Sequence, residues 1–333
     1  MPSSFVTLLF SCVAAILCAQ KQQGVEYNSA QQPGKGKNIV LISGDDEYRS
    51  EEALPMLAQI LAKKHGFNCT VLFPIDPASG VIDPNNHSNI PGLEKLASAD
   101  LMIIFTRFRE LPDDQMAHID NYLKSGKPVI GMRTATHAFF YEKNPNSKFA
   151  HYDWQSKKEG WVNGFGRKVL GETWVSHHGD HGKEGTRALV NGIQQNAKHP
   201  ILNGVKDIWS PTDVYTTTQL PPEAQVLLFG QPTKGMTPSS PPNLNKSIMP
   251  VAWTMSYEIE PGKKGRVFAS TMGAAVDLMN EDLRRMFVNA CYWTLNLDAP
   301  QKADVDFVTP YKPTMFGFDG YIKGTFPSKY VIQ

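Results

Sequence analysis

Three carboxylates at the end of the first predicted strand are the earliest residues in the chain that could support catalysis. Asp45, Asp46 and Glu47 follow closely on an apolar run at 39–42. A carboxylate at a strand end could act as a general base, or it could bind sugar hydroxyls or a cation. The alternative is a structural turn, because the helix dipole also favours acidic residues at the start of the next helix.

Basic side chains follow two further predicted strands and could face the same pocket. Arg107 and Arg109 follow the third strand, and Arg133 follows the fourth. Planar guanidinium groups suit carboxylate, phosphate or polarised carbonyl oxygens. The arginines could equally pair with nearby acids such as Glu110 as structural bridges. His137 lies one helical turn beyond Arg133, where it is either a catalytic acid or simply packed.

A histidine cluster has residue types and a spacing that could hold a divalent metal ion. His177, His178 and His181 lie on one loop together with Asp180. Adjacent side chains on an extended segment point to opposite faces, so His177 and His178 cannot easily share one ion. A divalent metal would therefore need two members of the cluster and a distant carboxylate. The alternative is a polar loop at the rim of the cleft, and no cofactor is predicted.

Apolar runs that alternate with helical patterns predict the elements that position these residues. Strands are expected at 38–43, 69–73, 100–105 and 129–132, with helices at 51–65, 92–97 and 112–124. The alternation predicts an α/β fold with a doubly wound, mostly parallel sheet of the flavodoxin-like type. Ligands of such sheets bind beyond the carboxyl ends of the strands. The predicted cleft therefore lies at 44–49, 106–110 and 132–137.

The turn after the fourth strand has the layout of a nucleophile elbow. A buried strand ends at Met132, and a helix is expected to start near Ala135, with Arg133 at the apex between them. Arginine is always protonated and cannot be a nucleophile. The turn thus locates a catalytic edge without supplying the usual chemistry.

The remaining segments define the domain organisation. Residues 1–19 are predicted to be an export signal, because the apolar stretch 5–17 is too short for a stable membrane span. The protein is therefore expected to be periplasmic, secreted or at the cell surface, and lipidation at Cys18 is disfavoured. We expect a flexible leader at 20–37, one domain at 38–297 and an irregular tail at 298–333.

Later strands and the cysteines complete the prediction. Further strands are expected at 214–218, 225–229, 249–255 and 265–270, with a closing helix at 281–295. Cys69 and Cys291 lie in apolar patterns and are predicted to be two buried thiols rather than a disulfide. With 33 basic and 32 acidic residues the net charge is +1, so no nucleic-acid partner is expected. The sequence leaves the oligomeric state open.

Four segments resemble the ThuA-like (trehalose-utilisation) family, which has the class I glutamine amidotransferase-like fold. They are the Asn-Ile-Val-Leu-Ile-Ser-Gly strand at 38–44, Pro-Val-Ile-Gly-Met-Arg-Thr-Ala at 128–135, His-Pro-Ile-Leu-Asn-Gly at 199–204 with Asp-Val-Tyr at 213–215, and Pro-Val-Ala-Trp at 250–253 with Gly-Arg-Val-Phe at 265–268 and Asn-Ala-Cys-Tyr-Trp at 289–293. The order and spacing of these segments over 38–297 carry the resemblance.

The resemblance implies a small carbohydrate or keto-sugar ligand at the carboxyl edge of the sheet. Together with the strand-end residues it favours an isomerase, lyase or hydrolase, although a catalytically silent binding protein and a metal-dependent hydrolase using His177, His178 and His181 stay open. The expected catalytic residues are Asp45 or Glu47 as base, Arg133 and Arg107 as oxyanion stabilisers, and His137 as acid. The expected substrate-binding residues are Arg107, Arg109, Thr134, His178, Asp213 and Tyr215.

Two departures from the family pattern narrow this expectation. An amidotransferase presents Cys at the elbow, and the resemblance implies His at this position in most ThuA-like proteins. This chain has Arg133 there. Glutamine hydrolysis through a thiolate is therefore excluded. Gly273 is followed by two alanines, where the family often has His and an acidic residue.

Overall fold

The structure of the protein is a computed structural model that describes residues 23–29, 34 and 36–332. The predicted export signal over residues 1–19 lies outside the described residues. Among the described helices, none combines the length and the apolar character that a bilayer crossing requires.

The described residues form one mixed sheet of ten strands in the order β1-β3-β2-β4-β5-β10-β9-β8-β6-β7. The strands are β1 (Gly24–Tyr27), β2 (Asn38–Gly44), β3 (Asn68–Leu72), β4 (Leu101–Thr106), β5 (Val129–Met132), β6 (Thr186–Ala188), β7 (Trp209–Ser210), β8 (Gln225–Pro232), β9 (Met249–Glu258) and β10 (Lys264–Ser270). Strand β1 lies within the segment expected to be a flexible leader and pairs with β3.

The prediction of a mostly parallel sheet is wrong. Among the pairings of the described strands, five are antiparallel and four are parallel. The parallel strands β3, β2, β4, β5 and β10 are adjacent, so their carboxyl ends share one edge, as the sequence predicts. The connection 259–263 between β9 and β10 is too short for a parallel crossover, which needs a dozen or more residues.

In the described part of the chain, four α-helices accompany the sheet, and shorter helical turns join them to the strands. The α-helices are α1 (Ser50–His65), α2 (Asp113–Lys124), α3 (Val190–Gln195) and α4 (Glu281–Thr294). The short turns are Leu93–Ser98, Arg133–His137, Ala150–Tyr152, Gly166–Leu170, Pro200–Leu202, Asp277–Met279 and Pro327–Tyr330. The expected helix after the elbow is thus only a short 3-10 turn. The strand expected at 214–218 is not formed, although Tyr215 makes one isolated antiparallel bridge with His177.

The core lies on both faces of the central strands. Along β2, Ile39 and Leu41 join the cluster that contains α1 and α4, while Val40 and Ile42 join the cluster that contains α2. Strands buried on both faces have continuous apolar sequences, which explains why these strands were predictable. Cys69 and Cys291 are both buried and unpaired within the described chain, which confirms the prediction of two thiols.

The C-terminal tail packs over the outer face of α1. Thr314 donates hydrogen bonds to the Glu52 carboxylate through its backbone N–H, at 2.7 Å, and its hydroxyl, at 2.8 Å. Further along, the Tyr330 ring stacks on Phe73, with 5.7 Å between the ring centroids. The tail thus covers part of α1, in which almost every residue is buried, including the polar ones.

Candidate functional site

The turn from β2 into α1 is organised by a serine. The Ser50 hydroxyl accepts hydrogen bonds from the backbone N–H groups of Gly44, at 3.1 Å, and Asp45, at 2.9 Å. The preceding residue, Arg49, has a left-handed backbone with φ 63°. The Ser50 hydroxyl therefore stabilises the strand end that carries the acidic residues.

Asp45 is used by the same turn. Its Oδ1 accepts hydrogen bonds from the backbone N–H groups of Glu47, at 2.8 Å, and Tyr48, and its Oδ2 accepts one from the Thr134 hydroxyl at 2.8 Å. Burial raises the pKa of Asp45, and the neighbouring Asp46 charge raises it further. Because Asp45 and Thr134 satisfy each other inside the turn, we assign neither of them to the substrate.

Arg133 is fully buried beneath the site. Its backbone is left-handed, with φ 47°, and its guanidinium lies between the rings of Tyr48, at 4.0 Å, and Tyr215, at 4.6 Å. Its Nη1 donates to the carbonyl oxygens of Thr271, at 2.9 Å, and Asp213. Arg133 and Tyr215 therefore support the floor of the site instead of contacting an open cleft.

Asp213 is the point at which the histidine loop meets the sheet. His177 Nδ1 lies 2.6 Å from Asp213 Oδ2, and His181 Nδ1 lies 3.2 Å from Asp213 Oδ1. Arg133 Nη2 approaches Asp213 Oδ1 to 3.6 Å. Burial by itself would raise the pKa of Asp213, but these two histidines and Arg133 hold the pKa far below its usual range. Asp213 is thus an ionised, buried anchor.

His181 connects Asp213 with Glu47. Its Nε2 lies 3.1 Å from Glu47 Oε1, while the Tyr48 hydroxyl lies 3.4 Å from its Nδ1. The hydrogen bond to Asp213 raises the pKa of His181. Burial raises the pKa of Glu47, and repulsion from Asp45 adds to this. The structure therefore builds a continuous polar chain from Glu47 through His181 to Asp213 and His177.

Arg107, which follows the end of β4, faces the same chain of polar side chains. Its Nε lies 3.6 Å from Glu47 Oε2, and its Nη1 donates to Asp46 Oδ1 at 3.0 Å. His87 Nε2 contacts the other oxygen of Asp46 at 3.1 Å. Burial would raise the pKa of Asp46, but His87 and Arg107 lower it to about 2. Arg109 is fully buried and donates to three backbone carbonyl groups, so its role is structural.

His137 is enclosed by aromatic rings. The ring centroids of Phe108, Tyr215 and Trp174 lie 5.0, 5.3 and 5.4 Å from that of His137. Burial lowers the pKa of His137 far below its usual range, and the positive charge of Arg107 lowers it further. Burial therefore favours the neutral form of His137, which disfavours the role of acid predicted for it.

The histidine loop divides as the alternation of side chains predicts. The backbone N–H of His178 donates to Val214 O at 2.8 Å, and its ring Nε2 lies 2.5 Å from Ser247 O, away from Asp213. His177 and His181 share the opposite side, and ligand atoms of His177, His181 and Asp213 all lie within 4.8 Å of one another. This group has the types and closeness that a metal ion requires, and Asp213 is the distant carboxylate that spacing alone did not identify.

Comparison with known proteins now adds the family. The family model described as trehalose utilisation, ThuA, matches residues 38–294, which is most of the chain. The chain belongs to the ThuA family. None of the curated proteins compared with it matches this chain.

Two solved structures of ThuA-like proteins are similar to this chain. The protein from Parabacteroides merdae ATCC 43184 is 14% identical with a TM-score of 0.49, and the alignment covers 85% of this chain and 98% of that one. The protein from Bacteroides uniformis ATCC 8492 is 15% identical with a TM-score of 0.45, covering 80% and 94%.

Aromatic side chains border the polar chain of this ThuA-family protein. Trp154 and Trp174 line a neighbouring cleft of about 540 Å³. Phe316, from the tail, has its ring 5.3 Å from that of His181, and the Arg107 guanidinium lies 4.9 Å from the ring of Phe318. The sequence prediction missed these two phenylalanines, because the only signal for the tail was its aromatic content. It also missed His87, which lies in the connection between β3 and β4.

Proposed function

We propose that this ThuA-family protein is an enzyme that acts on a carbohydrate or keto-sugar derivative by proton transfer. The observation that carries the proposal is the position of Glu47 at the carboxyl edge of the sheet, between His181 and Arg107. Among the predicted catalytic residues, Glu47 contacts both His181, which belongs to the polar chain, and Arg107, which faces that chain. Isomerisation, elimination and hydrolysis are the reaction types that such a group supports.

In this proposal Glu47 is the general base and Arg107 stabilises developing negative charge. A carboxylate can remove the proton from a carbon next to a carbonyl group, and a guanidinium can donate hydrogen bonds to the resulting oxyanion. The Arg107 side chain is 18% exposed, so part of it reaches the solvent side of the site. The contact of His181 with Glu47 orients the base. His181 is therefore a positioning residue in this proposal.

The surrounding rings suit the apolar face of a sugar. Phe108, Trp154, Trp174 and Phe318 lie around the polar chain, and Phe318 is 58% exposed. Ligand sites commonly combine such aromatic walls with a few convergent polar groups. This combination favours a carbohydrate over a purely anionic ligand such as phosphate.

The test is a screen of glycosides and 3-keto-glycosides by thermal shift, followed by turnover measurements. A ligand that binds the folded state raises its melting temperature. With an active sugar, Glu47→Gln should lower kcat/KM by about 100-fold or more, which is the usual contribution of a general base. The exposed Glu94→Gln is the matched control and should keep wild-type turnover. Full activity of Glu47→Gln would overturn the assignment of the base.

A second candidate is a catalytically silent protein that binds the same class of sugar. It is favoured by the closed environments of Asp45, Arg133 and His137, three of the five expected catalytic residues. The same screen separates the two functions. A sugar that raises the melting temperature but is recovered unchanged after prolonged incubation would support binding alone.

A further inference from the structure

Two histidines and a carboxylate converge on one point at the edge of the site. Both Nδ1 atoms of His177 and His181 face the carboxylate oxygens of Asp213, at 2.6 and 3.2 Å. Ligands held at about 2.1 Å from a tetrahedral ion lie roughly 3.4 Å apart. The observed group therefore needs only small shifts to surround an ion. We propose that His177, His181 and Asp213 form a binding site for a divalent transition-metal ion.

The backbone holds this group in place without an ion. His177 forms an antiparallel bridge with Tyr215, and the Thr216 N–H donates to Ser176 O at 3.0 Å. These contacts align the histidine loop with the segment that carries Asp213. Since the ligands come from two chain segments that are already paired, binding requires little ordering of the loop.

The side chains that would hold the ion are themselves held by neighbouring polar groups, as at known metal centres. A metal-bound histidine usually donates its other ring N–H to a carboxylate, which fixes its orientation. His181 meets this condition, because its Nε2 lies 3.1 Å from Glu47 Oε1 while its Nδ1 faces Asp213. Arg133 contacts Asp213 through both the backbone carbonyl and the carboxylate, which positions the oxygen ligand.

The charge of the site also suits a cation. Among the described side chains around the polar chain, the carboxylates are Asp45, Asp46, Glu47 and Asp213, and the guanidinium groups are those of Arg107, Arg109 and Arg133. Four negative groups against three positive ones leave one negative charge when the histidines are neutral, as metal ligands must be.

Two imidazole nitrogens and one carboxylate suit zinc, cobalt, nickel, manganese or ferrous iron. Three protein ligands leave at least one coordination position open. The side chains of His177 and His181 are 34% and 37% exposed, so that position faces solvent, where a substrate oxygen or a water can bind. An ion there would polarise the oxygen as a Lewis acid. The inference goes beyond the proposed function, because metal binding is measured without any sugar.

The experiment uses the whole purified protein, treated with a chelator and then dialysed against Zn²⁺ or Co²⁺. Elemental analysis should find about one ion per chain, and bound Co²⁺ should give the visible absorption of low-coordinate cobalt. His177→Ala and His181→Ala should each lower the affinity by at least tenfold. His178→Ala is the matched control, because its ring points to Ser247 O, and it should bind like the wild type.

Three outcomes would overturn the site. They are no ion retained at micromolar metal, unchanged affinity in both the His177→Ala and His181→Ala variants, or an equal loss in His178→Ala. Because both tested side chains are partly exposed, these variants are expected to fold, and circular dichroism verifies this. Glu47→Gln should keep one ion per chain with about tenfold weaker binding. Wild-type affinity of Glu47→Gln would show that the contact of Glu47 with His181 does not support metal binding. If no ion is retained but a sugar binds the metal-free protein, the metal site is rejected and the proposed function is unaffected.

Discussion

Arg133 and Glu47 show at the level of single residues how side-chain contacts separate two buried residues that share one position in the sequence pattern. Both follow the ends of parallel strands, and both were predicted to be catalytic. Arg133 is enclosed between Tyr48 and Tyr215, and its Nη1 donates to the carbonyl groups of Asp213 and Thr271, so it supports Asp213. Glu47 instead contacts the partly exposed side chains of His181 and Arg107. The same position in the sequence pattern therefore holds one structural residue and one for which we propose a chemical role.

Glu51 provides a residue-scale prediction about pH. Both of its carboxylate oxygens are buried and lack a hydrogen-bond partner among the described residues. Burial raises the pKa of Glu51 from its usual 4.5 to about 8, against a smaller opposing effect of the Arg49 charge. The folded pKa lies above the unfolded one, so the stability that protonated Glu51 permits is complete below pH 4.5. It is lost as pH rises through about 8.

Glu51→Gln should remove this pH dependence, because the amide cannot ionise. At pH 7, about 2.5 units above the unfolded pKa of 4.5, the variant should be more stable than the wild type by about 3 kcal/mol, because each unit of pKa difference corresponds to about 1.4 kcal/mol. The gain should vanish near pH 4. Urea unfolding at pH 4, 7 and 8.5 measures the difference. The exposed Glu94→Gln serves as control, and an equal gain at all three pH values would contradict the ionisation argument.

At the scale of elements, the turn between β2 and α1 determines where the acidic residues point. Ser50 and Asp45 together accept four backbone N–H groups of this turn, so the turn depends on side-chain acceptors more than on helix capping. The same turn carries Asp46 and Glu47 in contact with Arg107 from β4. Geometry at this turn is thus a condition for the proposed chemistry.

Ser50→Ala should therefore damage both stability and activity. Removing the hydroxyl leaves the buried N–H groups of Gly44 and Asp45 without an acceptor, which costs about 1–3 kcal/mol. Urea unfolding measures this loss, and turnover of an active sugar should fall because Glu47 is displaced. Ser98→Ala, which removes an exposed hydroxyl bonded to Lys95 O, should change neither quantity. Wild-type stability of Ser50→Ala would show that the turn forms without its serine.

At the scale of the whole molecule, the C-terminal tail joins the site to the outer face of the domain. Phe316 stacks on Tyr48, with ring centroids 5.5 Å apart, and lies beside His181. The Gly317 N–H donates to Glu47 O at 2.8 Å, and Gly317 O accepts from Arg49 Nη2 at 2.6 Å. The tail therefore covers the β2–α1 turn from outside the predicted domain.

Shortening the chain after Lys312 should destabilise the protein and impair the site. The deletion removes the contacts of Thr314, Phe316 and Gly317 with α1 and the turn, so unfolding free energy should fall by roughly 3 kcal/mol or more. Urea unfolding and thermal melting measure this change. Met315→Ala, which alters a tail side chain that is 58% exposed, should stay within about 0.5 kcal/mol of the wild type. A shortened chain of unchanged stability would show that the tail is dispensable.

The sequence by itself determined the strands at the centre of the sheet and the edge at which to look for function. Apolar runs such as 39–42 and 101–105 are buried on both faces, and this requirement is visible in composition without any knowledge of neighbours. Local pattern also placed Glu47 and Arg107 at strand ends. The same kind of signal indicated that His177 and His178 must point to opposite sides.

Only the tertiary structure decided which residues meet and in which direction the later strands run. The antiparallel half of the sheet follows from short connections such as 259–263. The direction of each later strand depends on where that strand finds a partner in the fold. Asp213 joins His177 and His181 across more than thirty residues of chain, and Phe316 reaches the site from beyond the predicted domain. Hydrogen bonds and ring contacts of this kind are set by packing between distant segments, and a local pattern does not encode them.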